Sequence, residues 1–122
     1  MTTYQEPIRN FEALLSEGEG SISREAVTIK SGAGALMAGT VLGKVTSGGK
    51  YEGYDDGKTN GAEVACAVLV QSVDATSADV AATAVLRVCE VKKDALQWIA
   101  AVDATAKTKA YSDLASSFVI VR

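Results

Sequence analysis

Apolar residues recur at every second position over much of the chain beyond residue 25, the period of a half-buried β-strand. Val27 and Ile29 alternate with Thr28 and Lys30. Thr40-Val41-Leu42-Gly43-Lys44-Val45-Thr46 reads as a strand, and Ser47-Gly48-Gly49 ends it in a tight turn. Residues 50–54 alternate again and meet Asp55-Asp56-Gly57-Lys58-Thr59-Asn60-Gly61, a loop of residues that tolerate left-handed backbone. The run Val64-Ala65-Cys66-Ala67-Val68-Leu69-Val70 is apolar throughout, which predicts a strand buried on both faces. Asp74-Ala75-Thr76-Ser77 predicts the next turn. Residues 81–91 alternate without a break and predict a strand, with Val85, Arg87, Cys89 and Val91 opposing Leu86, Val88 and Glu90. Asp103 is placed to cap a helix running through Ser116, with Ala106, Ala110, Tyr111 and Leu114 on one face. Phe118-Val119-Ile120-Val121 closes the chain as a strand. The predicted fold is mainly β with one clear short helix.

The first 24 residues have a different texture. They hold the only proline, Pro7, and a Gly18-Glu19-Gly20-Ser21 break. Their apolar residues Ile8, Phe11, Leu14 and Leu15 follow a helix-like i, i+3, i+4 spacing. One reading is a frayed arm with a short amphipathic turn. The other is a tether that orders on a partner, because four sizeable hydrophobes exceed what a solvated tail needs. Both place residues 1–24 outside the core as a flexible arm and residues 25–122 in one body.

Composition narrows what this body can do. At 122 residues the chain is one domain's worth, and 48% hydrophobic against 22% charged residues is ordinary globular composition. Aromatic residues are only 6%, so Val, Ala and Leu must fill the core. There is no histidine, which removes the commonest general base and the commonest metal ligand. Two cysteines alone cannot complete a structural zinc site, and no cofactor is expected. Twelve basic against 15 acidic residues give a net charge of −3, the wrong sign for a partner that must displace counterions from phosphate. No nucleic acid partner is expected. The apolar runs fall far short of the roughly 20 residues that span a bilayer, and the N-terminus does not resemble a secretory signal. A cytosolic chain with two reduced thiols is the expectation.

Short motifs that could carry chemistry fail on inspection. Gly32-Ala33-Gly34-Ala35-Leu36-Met37 opens like a dinucleotide fingerprint, but Met37 stands where the third glycine is needed. Residues 34–40 imitate P-loop spacing with Thr40 in the lysine position. Both reduce to a flexible glycine-rich link. The loop from Asp56 to Gly61 begins like a calcium loop, but Lys58 and Ala67 occupy ligand positions. Cys66 and Cys89 lie within predicted strands with no base to make a thiolate, so they are expected to be buried and structural. Glu63, Asp79, Glu90 and Asp94 show no spacing that selects an acid–base pair. No active site, and so no enzyme, is predicted.

The run Leu36-Met37-Ala38-Gly39-Thr40-Val41-Leu42-Gly43-Lys44-Val45 resembles the lambda-type phage head decoration protein D family. So do Tyr51, Tyr54-Asp55-Asp56-Gly57 and Gly61-Ala62-Glu63-Val64-Ala65, then Val68-Leu69-Val70 and Val73-Asp74-Ala75. The second half matches in Val85-Leu86-Arg87, Glu90-Val91 and Asp94-Ala95-Leu96-Gln97-Trp98, followed by the helix and the apolar end. The likeness runs from about Ser23 to Arg122. It departs from the family at Cys66-Ala67, where a central glycine is frequent, and at Ile99, where a proline is.

The resemblance implies a small β-tulip-like domain with one or two short helices and a flexible N-terminal arm. It implies a structural protein that binds the major capsid protein on the outside of an expanded head. Copies would sit as homotrimers at threefold sites and hold the shell against DNA pressure. Its place would be the virion surface, after the host cytoplasm before assembly. Ile8, Phe11, Leu14 and Leu15 are then the candidate arm contacts with the capsid. Trp98 and Tyr111, as large aromatics, are the first candidates for the trimer interface, with packing in the core as the competing role. A stand-alone β-barrel ligand-binding module, with residues 32–39 as its lid, is the alternative.

Overall fold

The structure is a computed structural model and describes residues 13–18 and 22–122. It is mainly β, as the alternation predicts. Among the described residues ten short strands and one α-helix follow in order: β1 (Leu14–Glu17), β2 (Arg24–Ile29), β3 (Gly34–Leu36), β4 (Val41–Lys44), β5 (Tyr51–Gly53), β6 (Ala65–Leu69), β7 (Val73–Ala75), β8 (Val80–Val85), β9 (Cys89–Val91), α1 (Ala104–Ala115) and β10 (Val119–Val121). A 3-10 turn covers Lys93–Ala95.

Five strands close a barrel in the order β2-β5-β4-β6-β8, sealed by the six-residue antiparallel pairing of β2 with β8 from Arg24↔Val85 to Ile29↔Val80. Every barrel strand contributes to one core cluster, which includes Ile29, Leu42, Tyr51, Leu69 and Ala84. A second cluster lies outside the barrel wall, where Val68, Val70 and Val85 meet Val91, Ala106, Ala110, Leu114 and Val119. β6 serves both clusters, Ala67 and Leu69 facing one and Val68 the other. This is why its run is apolar without interruption.

The helix starts where the sequence places it. Asp103 adopts extended backbone and its Oδ1 accepts the Ala106 N–H at 2.8 Å, capping α1. Ala106, Ala110 and Leu114 form its buried stripe.

Three expectations are corrected. Residues 81–91 are two strands in different sheets: after β8 the chain leaves the barrel, and Val88 turns at φ 51° so that Cys89 can enter a three-stranded sheet ordered β1-β9-β10. Period-2 alternation cannot mark such a switch, because both strands keep it. The 32–39 stretch is not a loose link, for β3 pairs antiparallel with β7 and Gly32 N donates to Ala75 O at 2.8 Å. Gly39 ends it at φ 94°, and a Cβ there would stand 2.5 Å from Ala95 O. Finally, not all of residues 1–24 lies outside the core. Ala13 is buried, and Leu14–Glu17 is an edge strand antiparallel to β9, bulged between Leu14 and Ser16. A four-residue strand is too short to show its own period.

Candidate functional site

No catalytic constellation emerges among the described residues. Cys66 and Cys89 are free thiols, and burial pushes both up to about 11, further from the thiolate a nucleophile needs. The carboxylates are spent on separate local tasks. Asp79 accepts from Ser31 N and Lys50 Nζ at 2.8 and 2.6 Å, which holds its carboxyl below the ordinary range. Glu63 accepts the Gly61 N–H, Glu90 binds Ser16 Oγ and Arg122 Nε, and Asp94 sits in the 3-10 turn. Among the described residues no three His, Cys, Asp or Glu side chains converge as metal ligands.

The loop that resembles a calcium site is built as a turn. Asp55 Oδ1 accepts the Gly57 N–H at 2.9 Å, and Asn60 Oδ1 accepts the Ala62 N–H at 3.1 Å. The loop's lysine is used inward: Lys58 Nζ reaches the buried Glu52 at 2.7 Å, joined by Asn60 Nδ2 at 3.1 Å. Burial pushes the Glu52 carboxyl up, but the hydrogen bonds from Lys58 and Asn60 and the nearby lysine charges outweigh it, and the net direction is down. Sequence reasoning missed Glu52, since an acidic residue in an alternating strand reads as solvent-facing.

The aromatic candidates are engaged within the chain. Tyr54, Trp98 and Tyr111 stack edge to face, with centroids 6.3 and 5.9 Å apart. Tyr54 Oη donates to Ala106 O at 2.9 Å, tying β5's end to the helix. Lys107 and Lys93 lie over the Trp98 and Tyr111 rings at 5.7 and 4.8 Å. Trp98 and Tyr111 are partly buried against the outer core cluster.

The four arm residues do not stay together. Ile8 and Phe11 lie outside the described residues. Leu14 packs against the outer core cluster, whereas Leu15 is exposed. β1, which carries both, is an outer strand of its sheet, so one row of its backbone N–H and C=O groups is unpaired by β9.

The surface also carries apolar side chains that sequence reasoning did not single out. Val88, Phe118 and Ile120 are exposed along one end of the three-stranded sheet and line a common groove, with Ile22 exposed nearby. No residue-type signal marks them. Val88 sits inside an alternating run, and Phe118 follows the helix at a position where glycine would be the expected residue.

The family model described as "Bacteriophage lambda head decoration protein D" matches residues 3–119. No curated protein matches the chain.

Proposed function

The chain belongs to the bacteriophage lambda head decoration protein D family, hence is a structural protein that decorates a phage head, and from that premise we propose how it acts. It binds the major capsid protein on the outside of the expanded head, as homotrimers at threefold sites, and opposes the pressure of packaged DNA. The observation that carries this reading is the family match over nearly the whole chain.

The geometry is compatible with the following mechanism. β1 offers its outer edge, where a strand from the shell can add by main-chain hydrogen bonds. Leu14 fastens β1 to the body, while Leu15 on the same strand and Ile8 and Phe11 before it are the contacts offered to the shell. Each would contribute roughly 1.5–3 kcal/mol if fully buried there. Ordering the arm costs about 1–2 kcal/mol per residue, so each arm gains little by itself. Three arms on one trimer bind multivalently, and a trimer bridging neighbouring capsomers resists their separation.

The same reading makes the protein non-enzymatic, resident on the virion after a passage through the host cytoplasm, and indifferent to nucleic acid and membranes. The net charge of −3 supports the third point. Among the described residues no helix is long and apolar enough to cross a membrane. The test is mechanical. DNA-filled heads stripped of decoration should release their genome at a higher temperature once this protein is added back. Unchanged release, with the protein bound, would refute the stabilising role.

A further inference from the structure

Val88 and Phe118 carry side chains that the turns they make do not need. Their φ angles are 51° and 61°, in the left-handed region that glycine adopts freely and side chains avoid, β-branched ones most of all. Neither recovers that strain by burial, for Phe118 is 68% exposed and Val88 42%. What holds them is backbone. Val88 N donates to Ser117 O at 3.3 Å, Cys89 N donates to Phe118 O at 3.0 Å, and Val88 O accepts from Gly18 N at 3.0 Å and Ser23 Oγ at 2.7 Å. Glycine at 88 or 118 would keep every one of these bonds. Strain maintained under an exposed apolar side chain points to something outside the chain.

Together the two side chains form a ridge between two grooves. On one side a space of about 310 Å³ runs along Glu90 and Ile120; on the other, about 460 Å³ opens over Tyr51, Cys66 and Leu86. An apolar ridge beside a groove that Tyr51, Cys66 and Leu86 line together with Lys44, Arg87, Ser116 and Ser117 suits partners related by a rotation axis, each giving its ridge and receiving another's. The charges near this face are already paired within the chain: Arg24 with Glu17, Arg87 with Glu25 at 2.6 Å, and Arg122 with Glu90 at 2.8 Å. Lys44, at the groove's edge, lies over the Tyr51 ring. A face whose charges are internally neutralised adds no like-charge repulsion to the small net charge of −3 when copies of the chain meet there. This face meets that condition, and a partner chosen by charge would find little to select it.

We propose that the Val88–Phe118 ridge is the contact between copies of this chain, with Phe118 of one copy seated over Tyr51, Cys66 and Leu86 of the next. The proposal rests on the self-association in the reading above and names the surface that performs it.

Phe118→Gly tests it, because the substitution relieves the backbone while removing the contact. Wild type and variant are compared by sedimentation from micromolar to millimolar concentration, with native thiol labelling and thermal melts alongside. Wild type should sediment as three times 12.6 kDa, and Cys66 should label more slowly as concentration rises. Phe118→Gly should sediment as a single 12.6 kDa chain, with association weakened at least a hundredfold, Cys66 labelling independent of concentration and a cooperative melt. Val88→Gly should do the same and serves if the first variant fails to fold. A wild-type trimer with equally trimeric, folded variants overturns this assignment and leaves self-association standing. Where the free wild type is monomeric the comparison is made on expanded heads: threefold protrusions of wild type that Phe118→Gly and Val88→Gly lose support the assignment, protrusions they keep overturn it, and a wild type monomeric both free and on heads overturns both. Variants that remain trimeric but no longer bind heads would show that the ridge faces the shell instead.

Discussion

Leu14 and Leu15 are neighbours with the same side chain, and the fold gives them different work. Leu14 packs against the outer core cluster beside Ala13 and Val91, while Leu15 is 51% exposed. Truncating a fully buried leucine to alanine costs about 2–5 kcal/mol, and Leu14 keeps some exposure, so Leu14→Ala should cost about 1.5–3 kcal/mol. In a domain of this length 1 kcal/mol moves the midpoint by about 3–6 °C, so its Tm should fall by about 5–15 °C. Leu15→Ala removes surface from solvent-facing backbone and should stay within about 0.5 kcal/mol, or about 3 °C. On heads the order reverses. Leu15→Ala should weaken binding by up to about tenfold per arm, the equivalent of about 1.4 kcal/mol of shell contact. Calorimetric melts and co-sedimentation with expanded heads read the two effects separately, and removing residues 1–12 should leave the melt unchanged. Equal Tm shifts for the two leucines, or none for Leu14→Ala, would mean that β1 does not hold to β9 and that the anchor reasoning is wrong.

Three further outcomes follow from local structure. Burial raises the folded pKa of Cys66 and Cys89 to about 11 from an ordinary 9.0, so their contribution to stability is whole below about pH 9 and is lost as pH climbs toward 11. Alkaline melts should show it, native thiol labelling should be slow, and two thiols per chain should react after unfolding. The Glu52 carboxyl is held below 4.5, so stability present above that pH should decline as acid protonates it, and Glu52→Gln should flatten the acid limb of the melt profile. Gly43 sits against Ala62, where an added Cβ would stand 2.5 Å from the carbonyl oxygen and 2.6 Å from Cα, so Gly43→Ala should cost about 1–3 kcal/mol in chemical denaturation.

How much of this was legible in the sequence depends on whether the signal was local. The helix was, because Asp103 caps it and Ala106, Ala110 and Leu114 repeat at its period. β6 was, because an uninterrupted apolar run has few other uses than a strand with core on both sides. β3 was not: Gly34-Ala35-Leu36 has little strand preference, and its partner Val73–Ala75 is almost forty residues away. Nor was the change of sheet at Val88, since a valine in left-handed backbone breaks the local rule that would have announced a turn. The same inversion hid Phe118. The ridge therefore became visible only once the backbone angles and exposures stood side by side, whereas the family was visible from the order of many individually weak segments.

Decoration of an expanded phage head by trimers of this chain is tested most directly by electron microscopy of expanded and unexpanded heads, each incubated with the pure protein. Threefold protrusions are expected at local threefold positions on expanded heads and bare surfaces on unexpanded ones. Expanded heads that stay bare, or protrusions without threefold symmetry, would contradict it.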